Sequence, residues 1–253
     1  MIFEKRVNGC YTKSIVKLGA AGIWSCPTRC IMATATHPET LAQPLPAVMP
    51  EGEQRVVING ISYELYKKIC EEVGEQPVRL SFSDESLEIM NTKRPHEHFR
   101  KILSMLVEAI LREQKTPMWP GGMMTFQRDD LEKGFEPDDC WWIASASKVS
   151  ETIEFDSAKD PPPDLAIEVE ITSSLVHRIG IYAAMGVPEV WRFNGKKLRF
   201  CILEPNGKYA DAETSKSFPF LKPQDLIPFL LPENREDATT RTIAFAEWLQ
   251  RKK

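Results

Sequence analysis

The chain has 253 residues, with 32 Lys and Arg residues against 36 Asp and Glu residues and a formal net charge of -4 at pH 7. This length is enough for one α/β domain with a substantial hydrophobic core. The slight acidity argues against a protein that coats nucleic acid electrostatically, although it is compatible with an enzyme that has a local basic groove.

The first fifty residues differ in composition from the rest. Basic residues precede a short apolar run at 18–24, which loosely resembles a signal peptide but is too brief and too rich in glycine for one. A stretch rich in Pro, Thr and Ala follows, which is typical of a disordered arm. Met32 begins a typical polar N-terminus, so the true start codon is expected there. We therefore interpret residues 1–50 as a disordered or mis-assigned arm and residues 51–253 as the folded domain.

The distribution of cysteines and of apolar residues indicates the cellular compartment of the protein. Six cysteines occur without a paired framework or a Cys-x-x-Cys motif, namely Cys10, Cys26, Cys30, Cys70, Cys140 and Cys201. Such a distribution indicates reduced thiols rather than a disulfide scaffold. No stretch reaches the roughly 18 apolar residues of a membrane span. We therefore expect a cytoplasmic protein that does not contact a membrane.

Periodicity and turn signals predict a regular succession of elements in the first half of the domain. A strand is followed by a helix that Ser62 caps. A hairpin, a long helix with a wide apolar stripe, a Gly-Gly turn and a further strand come next. The predicted bounds are strand 56–58, helix 62–73, hairpin strands 78–82 and 86–90, helix Arg94–Glu113, turn Gly121–Gly122 and strand 140–143.

The segment from Asp164 to Ile171 alternates as a β-strand with two different faces. Successive side chains on a strand point to opposite sides, so one face is fully apolar while Asp164, Glu168 and Glu170 share the other. Like charges this close raise a pKa unless a cation offsets them, and Mg²⁺ takes carboxylate oxygens as ligands. The alternative is that these acids cover the solvent face of an edge strand and keep it soluble.

The chain continues with a helix and then more strands. Residues 172–174 form a capping signal for an amphipathic helix that ends at Gly186. Strands are predicted at 189–193 and 197–203, and helices at 223–231 and 240–252 close the chain. Strand, helix and strand in succession predict a mixed α/β (α+β) protein, with a central mixed β-sheet flanked by helices.

Three motifs in a fixed order resemble the Uma2 family. They are Glu136-Pro137-Asp138, then the run from Pro162 to Val169, then Ile181-Tyr182 with Gly186-Val187-Pro188-Glu189-Val190-Trp191. The resemblance covers roughly residues 56–248. It implies a restriction-endonuclease-like, PD-(D/E)XK core and an endonuclease that hydrolyses phosphodiester bonds of nucleic acid, with DNA as the expected partner.

The resemblance also implies a metal site. By position, Asp138 and Glu168 would bind Mg²⁺, or Mn²⁺ in its place, and the backbone carbonyl of Val169 would be a further ligand. The superfamily places a Lys at the position of Glu170, and this family places it on the following helix, where Arg178 stands. Arginine keeps an electrostatic role on a phosphate but cannot act as a base. Glu170 is then expected to orient the attacking water.

Other candidate residues have two interpretations each. Glu97 resembles an acid that many nucleases of this superfamily place on this helix, or else it complements the helix dipole. His96 and His98 belong to a basic cluster that either contacts a phosphate backbone or is a solvated helix end. Trp141 and Trp142 are expected to pack in the core rather than to stack on bases.

Three functions remain open at this point. The first is a Mg²⁺-dependent endonuclease with Asp138, Glu168, Glu170 and Arg178 in its site and Glu97 assisting. The second is a degenerate nuclease fold that binds nucleic acid or a protein partner without cleavage. The third is a structural or regulatory module without a ligand. A homodimer is a further expectation, because cutters of double-stranded DNA usually need two sites.

Overall fold

The structure is a computed structural model that describes residues 54–252, except for residues 75, 77, 92, 150–154, 172–177 and 233–235. Before residue 54 it describes the backbone of two antiparallel strands, β1 (Ile2–Val7) and β2 (Cys10–Ile15). Two compact units are present, Met1–Met49 and Pro50–Lys253. Apart from these two strands, the predicted arm lies outside the described residues, as does the predicted start at Met32.

The second unit mixes strands and helices along the chain. Its strands are β3 (Gln54–Asn59), β4 (Arg79–Ser83), β5 (Ser86–Asn91), β6 (Trp119–Pro120), β7 (Phe126–Arg128), β8 (Lys133–Phe135), β9 (Asp139–Trp142), β10 (Leu165–Val169), β11 (Glu189–Phe193), β12 (Leu198–Leu203) and β13 (Tyr209–Ala212). Its helices are α1 (Tyr63–Val73), α2 (Arg94–Glu113), α3 (Ala146–Val149), α4 (Arg178–Ala184), α5 (Pro223–Leu230) and α6 (Ala238–Arg251).

A six-stranded sheet in the order β13-β12-β11-β10-β9-β6 forms the centre of this unit. Strands β10 and β11 are parallel, and the other neighbouring strands are antiparallel. The sheet is therefore mixed, and the predicted α/β class is confirmed. Strand β10 lies between two others and all five of its residues are buried. The interpretation of its acids as the solvent face of an edge strand is therefore wrong.

Helices α2, α5 and α6 cover one face of the central sheet. Trp141, Ile167 and Trp191 of the sheet are buried there against Leu106 of α2 and Phe245 of α6. Full burial of a large apolar side chain stabilises a fold by about 1.5–3 kcal/mol. Helix α2 has the predicted bounds, since a proline lies in its first turn and its apolar stripe continues to its last turn.

Helix α4 and a second sheet lie on the other face. Ala166 of β10 and Trp142 of β9 are buried there against Phe135 of β8 and Tyr182 of α4. The second sheet has the order β3-β5-β4-β8-β7. Trp141 and Trp142 therefore pack on opposite faces of β9, and the prediction that they are core residues is confirmed.

The predicted caps and turns agree with the structure where it describes them. The Ser62 side chain accepts a hydrogen bond from Leu65 N at 3.2 Å and caps α1. The β4–β5 hairpin turns through Asp84 and Glu85, whose φ values of 52° and 55° are left-handed. Gly186 ends α4 with a φ of 76°. The capping signal at 172–174 lies outside the described residues.

Two further findings bear on the predicted setting of the protein. Cys70, Cys140 and Cys201 are free thiols, as predicted for these three. No described helix combines the length and the apolar character that crossing a bilayer requires.

Candidate active site

Asp138 lies immediately before β9 and next to β10. Its backbone N–H donates to the Ile167 carbonyl at 3.2 Å and continues the pairing of the two strands. Its fully buried carboxylate accepts a hydrogen bond from Val169 N at Oδ2, at 2.5 Å, and from the Arg79 guanidinium at Oδ1. The carboxylate thus replaces a strand carbonyl as the partner of the Val169 N–H, because the pairing with β9 ends here.

Glu168, on the polar side of β10, is held by two residues of α4. Arg178 Nη2 donates to Glu168 Oε1 at 2.7 Å, and the Tyr182 hydroxyl donates to the same oxygen. A spacing of four residues puts Arg178 and Tyr182 on one face of the helix. Arg178 Nη2 also donates to the Glu136 carbonyl at 2.9 Å. Tyr182 is therefore a buried hydrogen-bond partner of Glu168.

The first turns of α2 extend this cluster toward the surface. His96 Nε2 lies 3.0 Å from Asp138 Oδ2, and His96 Nδ1 lies 3.4 Å from Glu97 Oε1. Glu97 also pairs with Arg79 Nη2 at 3.4 Å and with Arg100 Nε at 2.8 Å. The Glu97 side chain is 38% exposed whereas Asp138 is buried. His96 is also buried, and so the interpretation as a solvated basic cluster is wrong for this residue.

The two central carboxylates have opposite pKa shifts. Burial alone would raise the pKa of Asp138, but the charges of Arg79 and His96 outweigh it and hold the pKa well below its usual value. Burial also raises the pKa of Glu168, and here the opposing charge of Arg178 is not enough, so the pKa is about 7. At neutral pH Asp138 is therefore ionised, while Glu168 takes up a proton more readily than an ordinary glutamate.

The remaining acids along this strand have partners of their own. Asp164 accepts hydrogen bonds from the backbone N–H groups of Ile143 and Ser145 at 2.7 and 2.9 Å. Glu170 accepts one from Arg192 Nη2 of β11 at 2.7 Å. Hydrogen-bond donors and arginines of the chain therefore offset the repulsion that the sequence predicts for this face.

The predicted site residues are only partly brought together. Asp138, Glu168 and Arg178 meet in one buried cluster, and Val169 contributes its N–H to it. Glu97 joins this cluster through a shared arginine. Glu170 lies just beyond the strand end and takes a different arginine as its partner.

Arg79 is a central member of the cluster that sequence reasoning did not single out. It begins a strand whose five residues are all buried, and it points away from the face that carries Leu80 and Phe82. An arginine in such a strand needs an acidic partner. This pattern could have identified Arg79 as a buried charge, but the identity of its partner depends on the fold.

The cluster contains the type of ligand atom that a hard divalent cation prefers. Asp138 and Glu168 present carboxylate oxygens, which Mg²⁺ prefers, and this ion usually keeps several waters and needs only one or two carboxylates. Both hydrogen bonds that Glu168 accepts from described residues fall on Oε1, which leaves Oε2 for a ligand. At Asp138, Arg79 would have to leave Oδ1. The described residues contain no ready-made cluster of three or more metal-binding side chains.

Comparison with known proteins supports a nuclease family. No curated protein matches the chain. A protein-family model described as "Putative restriction endonuclease" matches residues 63–232, which extend from the start of α1 to just beyond α5. The matched region includes every candidate site residue and spans more than half of the chain. The resemblance drawn from the motifs is therefore confirmed, and the chain belongs to the Uma2 family of putative restriction endonucleases.

Proposed function

We propose that the protein is a Mg²⁺-dependent endonuclease that hydrolyses phosphodiester bonds of DNA. The observation that carries this proposal is the convergence of Asp138 and Glu168 at the ends of adjacent strands, with Arg178 bonded to Glu168. Two neighbouring carboxylates can hold a metal ion, and a metal ion together with a cationic side chain stabilises the charge that develops in phosphodiester cleavage. Membership of the Uma2 family supports the nuclease class.

Asp138 and Glu168 would hold the metal ion, with the Val169 carbonyl as a further oxygen at the same strand end. When bound, the ion would polarise a phosphoryl oxygen and lower the pKa of a water molecule. Asp138 suits this role because its lowered pKa keeps it ionised at neutral pH. Glu168 has a raised pKa of about 7 and would release its proton when a cation binds.

Arg178 would stabilise negative charge on the phosphate. Its Nε is buried and has no hydrogen-bond partner among the described residues, while its Nη2 is engaged by Glu168 and the Glu136 carbonyl. A guanidinium that keeps a permanent charge beside a proposed metal ligand suits negative charge that develops on a phosphate oxygen. Because arginine cannot accept a proton, we assign the orientation of the attacking water to Glu170.

A nuclease assay tests this proposal directly. Plasmid DNA, single-stranded DNA and RNA are incubated with Mg²⁺ or Mn²⁺, with EDTA as the metal-free control. We expect cleavage of DNA that EDTA abolishes and that Glu168→Gln lowers roughly 100-fold or more. Glu108→Gln, which changes a surface acid of α2 paired with Arg112, is the matched control and should cleave normally. Cleavage that persists in EDTA would contradict the proposal.

Nucleic-acid or protein binding without cleavage is a second candidate function. Arg79 and Arg178 already neutralise Asp138 and Glu168 inside the protein, which favours a fold that has replaced the metal with arginines. This alternative would be supported if the folded wild-type protein binds DNA without cleaving it and the Arg178→Lys variant does cleave it. A protein that binds neither metal nor nucleic acid would be the structural or regulatory module.

We also propose that the protein forms a homodimer if its substrate is double-stranded DNA. Cleavage of both strands of a duplex would require two copies of the Asp138–Glu168 site. Sedimentation with and without duplex DNA would measure whether two chains associate, and a monomer that linearises a plasmid in one event would contradict this proposal.

A further inference from the structure

A cleft of about 360 Å³ lies between α4 and the strands β11, β12 and β13. Its lining includes three cationic side chains, Arg192, Arg199 and Lys208, against one acidic side chain, Asp211. Its volume falls in the range of about 300–1,000 Å³ that is usual for ligand sites. The cleft lies outside the Asp138–Glu168 cluster, and α4 borders both, since Arg178 and Tyr182 of this helix bind Glu168 while Ile179 and Ala183 line the cleft.

Strand register connects the cleft to the acidic cluster. Glu168 of β10 is directly opposite Arg192 of β11, which in turn is directly opposite Arg199 of β12. Directly opposed residues lie on the same face of a sheet, and adjacent strands are about 4.8 Å apart. Arg199 therefore begins about 10 Å from Glu168 along the same face, with Arg192 between them.

The lining of the cleft carries more positive than negative charge. Like charges directly opposite each other on neighbouring strands destabilise a sheet, and Arg192 and Arg199 are such a pair. Arg192 is bonded to Glu170 at 2.7 Å, but Asp211 lies 3.8 Å from Arg199, and Lys208 adds a third, exposed cation. Burial raises the pKa of the Cys201 thiol in the same cleft to about 11, so it adds no negative charge at neutral pH.

We infer that this cleft binds the sugar-phosphate backbone of the nucleic acid strand beside the bond that is cleaved. Arg199 and Lys208 contact its phosphates, because Arg192 is already engaged by Glu170. A ligand that reaches from the cleft to Glu168 has to carry several negative groups along a chain, which a lone phosphate does not. The inference rests on the proposed function for the position of the cleaved bond, but the binding itself does not depend on cleavage.

Metal-free binding measurements test the cleft separately from the chemistry. Labelled single-stranded DNA, duplex DNA and RNA are titrated with protein in EDTA over a range of salt concentrations, with anisotropy as the readout. The test variant is Arg199→Gln with Lys208→Gln. The matched control is Lys148→Gln with Lys196→Gln, which removes the same charge from exposed positions outside the cleft.

We expect the cleft variant to bind single-stranded DNA at least about tenfold more weakly than the control. Loss of two phosphate contacts should also make the slope of log affinity against log salt shallower by about 1.4 for a single strand. The substitutions remove the repulsion between opposed arginines and an exposed ion pair of Arg199 with Asp211. The free energy of unfolding in urea should therefore change little, which separates lost binding from lost folding.

The possible results distinguish this inference from the proposed function. Equal affinity and slope in the two double variants would overturn the cleft as the binding surface, whatever the cleavage assay gives. The wild-type protein could fail to cleave while the cleft variant still binds DNA more weakly than the control variant does. That result would support the cleft as the binding surface and reject the proposed hydrolysis. A wild-type protein that binds neither DNA nor RNA would overturn the inference.

Discussion

Arg178 and Glu168 form an ion pair that is almost completely shielded from solvent, with Nη2 2.7 Å from Oε1. Burying two charges is costly unless further hydrogen bonds satisfy both groups. Tyr182 supplies one to Glu168, and the Glu136 carbonyl accepts one from Arg178. Neither charge can therefore be removed alone without leaving the other uncompensated in the protein interior.

Arg178→Met should lower the free energy of unfolding by up to about 3–5 kcal/mol, because Glu168 loses its cation and has to stay charged or take up a proton in the interior. The double variant Arg178→Met with Glu168→Gln should recover part of this loss, since no charge then remains to be compensated. Urea unfolding of the wild type, both single variants and the double variant measures the coupling. Strictly additive losses would contradict the ion pair.

The pKa of Glu168 rises from its usual value of 4.5 to about 7 in the folded protein. The stability of the metal-free protein should therefore fall as the pH rises between these two values. A raised pKa means that the folded state keeps a proton that the unfolded state has released, so ionisation favours unfolding. The fall should be on the order of 3 kcal/mol and should level off above this window. Asp138 has a lowered pKa, and its stabilisation is lost only below its usual value of 3.8.

Urea unfolding in EDTA over this pH range measures the dependence on Glu168. In Glu168→Gln the position no longer titrates, and so the fall in stability should be smaller than in the wild type. What remains comes from groups such as Glu136 and Asp139, whose pKa values burial also raises. A wild-type stability that rises through the same window would mean that another group dominates the titration.

Arg79→Met should make the protein more responsive to Mn²⁺. Arg79 occupies the Asp138 oxygen that a metal ion would need, and its removal leaves a buried carboxylate without its cation. The variant should lose about 3–5 kcal/mol without metal and regain more stability on Mn²⁺ addition than the wild type does. Thermal unfolding with Mn²⁺ and with EDTA measures both effects.

Arg55→Met is the matched control for this experiment. Arg55 forms another buried ion pair, 2.9 Å from Glu88, which is not one of the proposed metal ligands. This variant should be destabilised as well, but without any added response to Mn²⁺. Equal responses of the two variants would show that Asp138 is not the metal ligand.

Glu170→Ala tests the assignment of this acid to the attacking water. If Glu170 orients the water, cleavage should fall roughly 100-fold while DNA affinity does not fall, because the substitution releases Arg192 in the cleft. Glu213→Ala, at an exposed position, is the control and should leave the rate unchanged. Single-turnover cleavage rates make the comparison. A Glu170→Ala protein that cleaves at the wild-type rate would restrict Glu170 to its pairing with Arg192.

Gly134→Ala should destabilise the contact between β8 and α1. A Cβ atom at position 134 would lie 2.5 Å from Cε1 and 2.6 Å from Cζ of the fully buried Tyr66. Overpacking of this kind costs about 1–3 kcal/mol. Adding Tyr66→Leu makes room for the methyl group, so the double variant should be less destabilised than the sum of the single variants. Urea unfolding measures this difference, and simple additivity would contradict the steric explanation.

The sequence alone was sufficient for the features that depend on neighbouring residues. The bounds of α2 follow from its apolar period and its early proline, and the β4–β5 hairpin follows from two alternating runs around a short turn. The two-faced character of β10 follows from strict alternation. The ordered motifs identified the family because they follow one another in a set order along the chain.

Only the tertiary structure decided which charges meet. The alternation of β10 did not reveal that it is a central strand, because pairing with β9 and β11 joins distant segments. Arg79 comes from the second sheet, and Arg192 takes Glu170 rather than the directly opposed Glu168. Local sequence determines which face a side chain lies on, whereas the partner of a buried charge depends on packing between segments far apart in the chain.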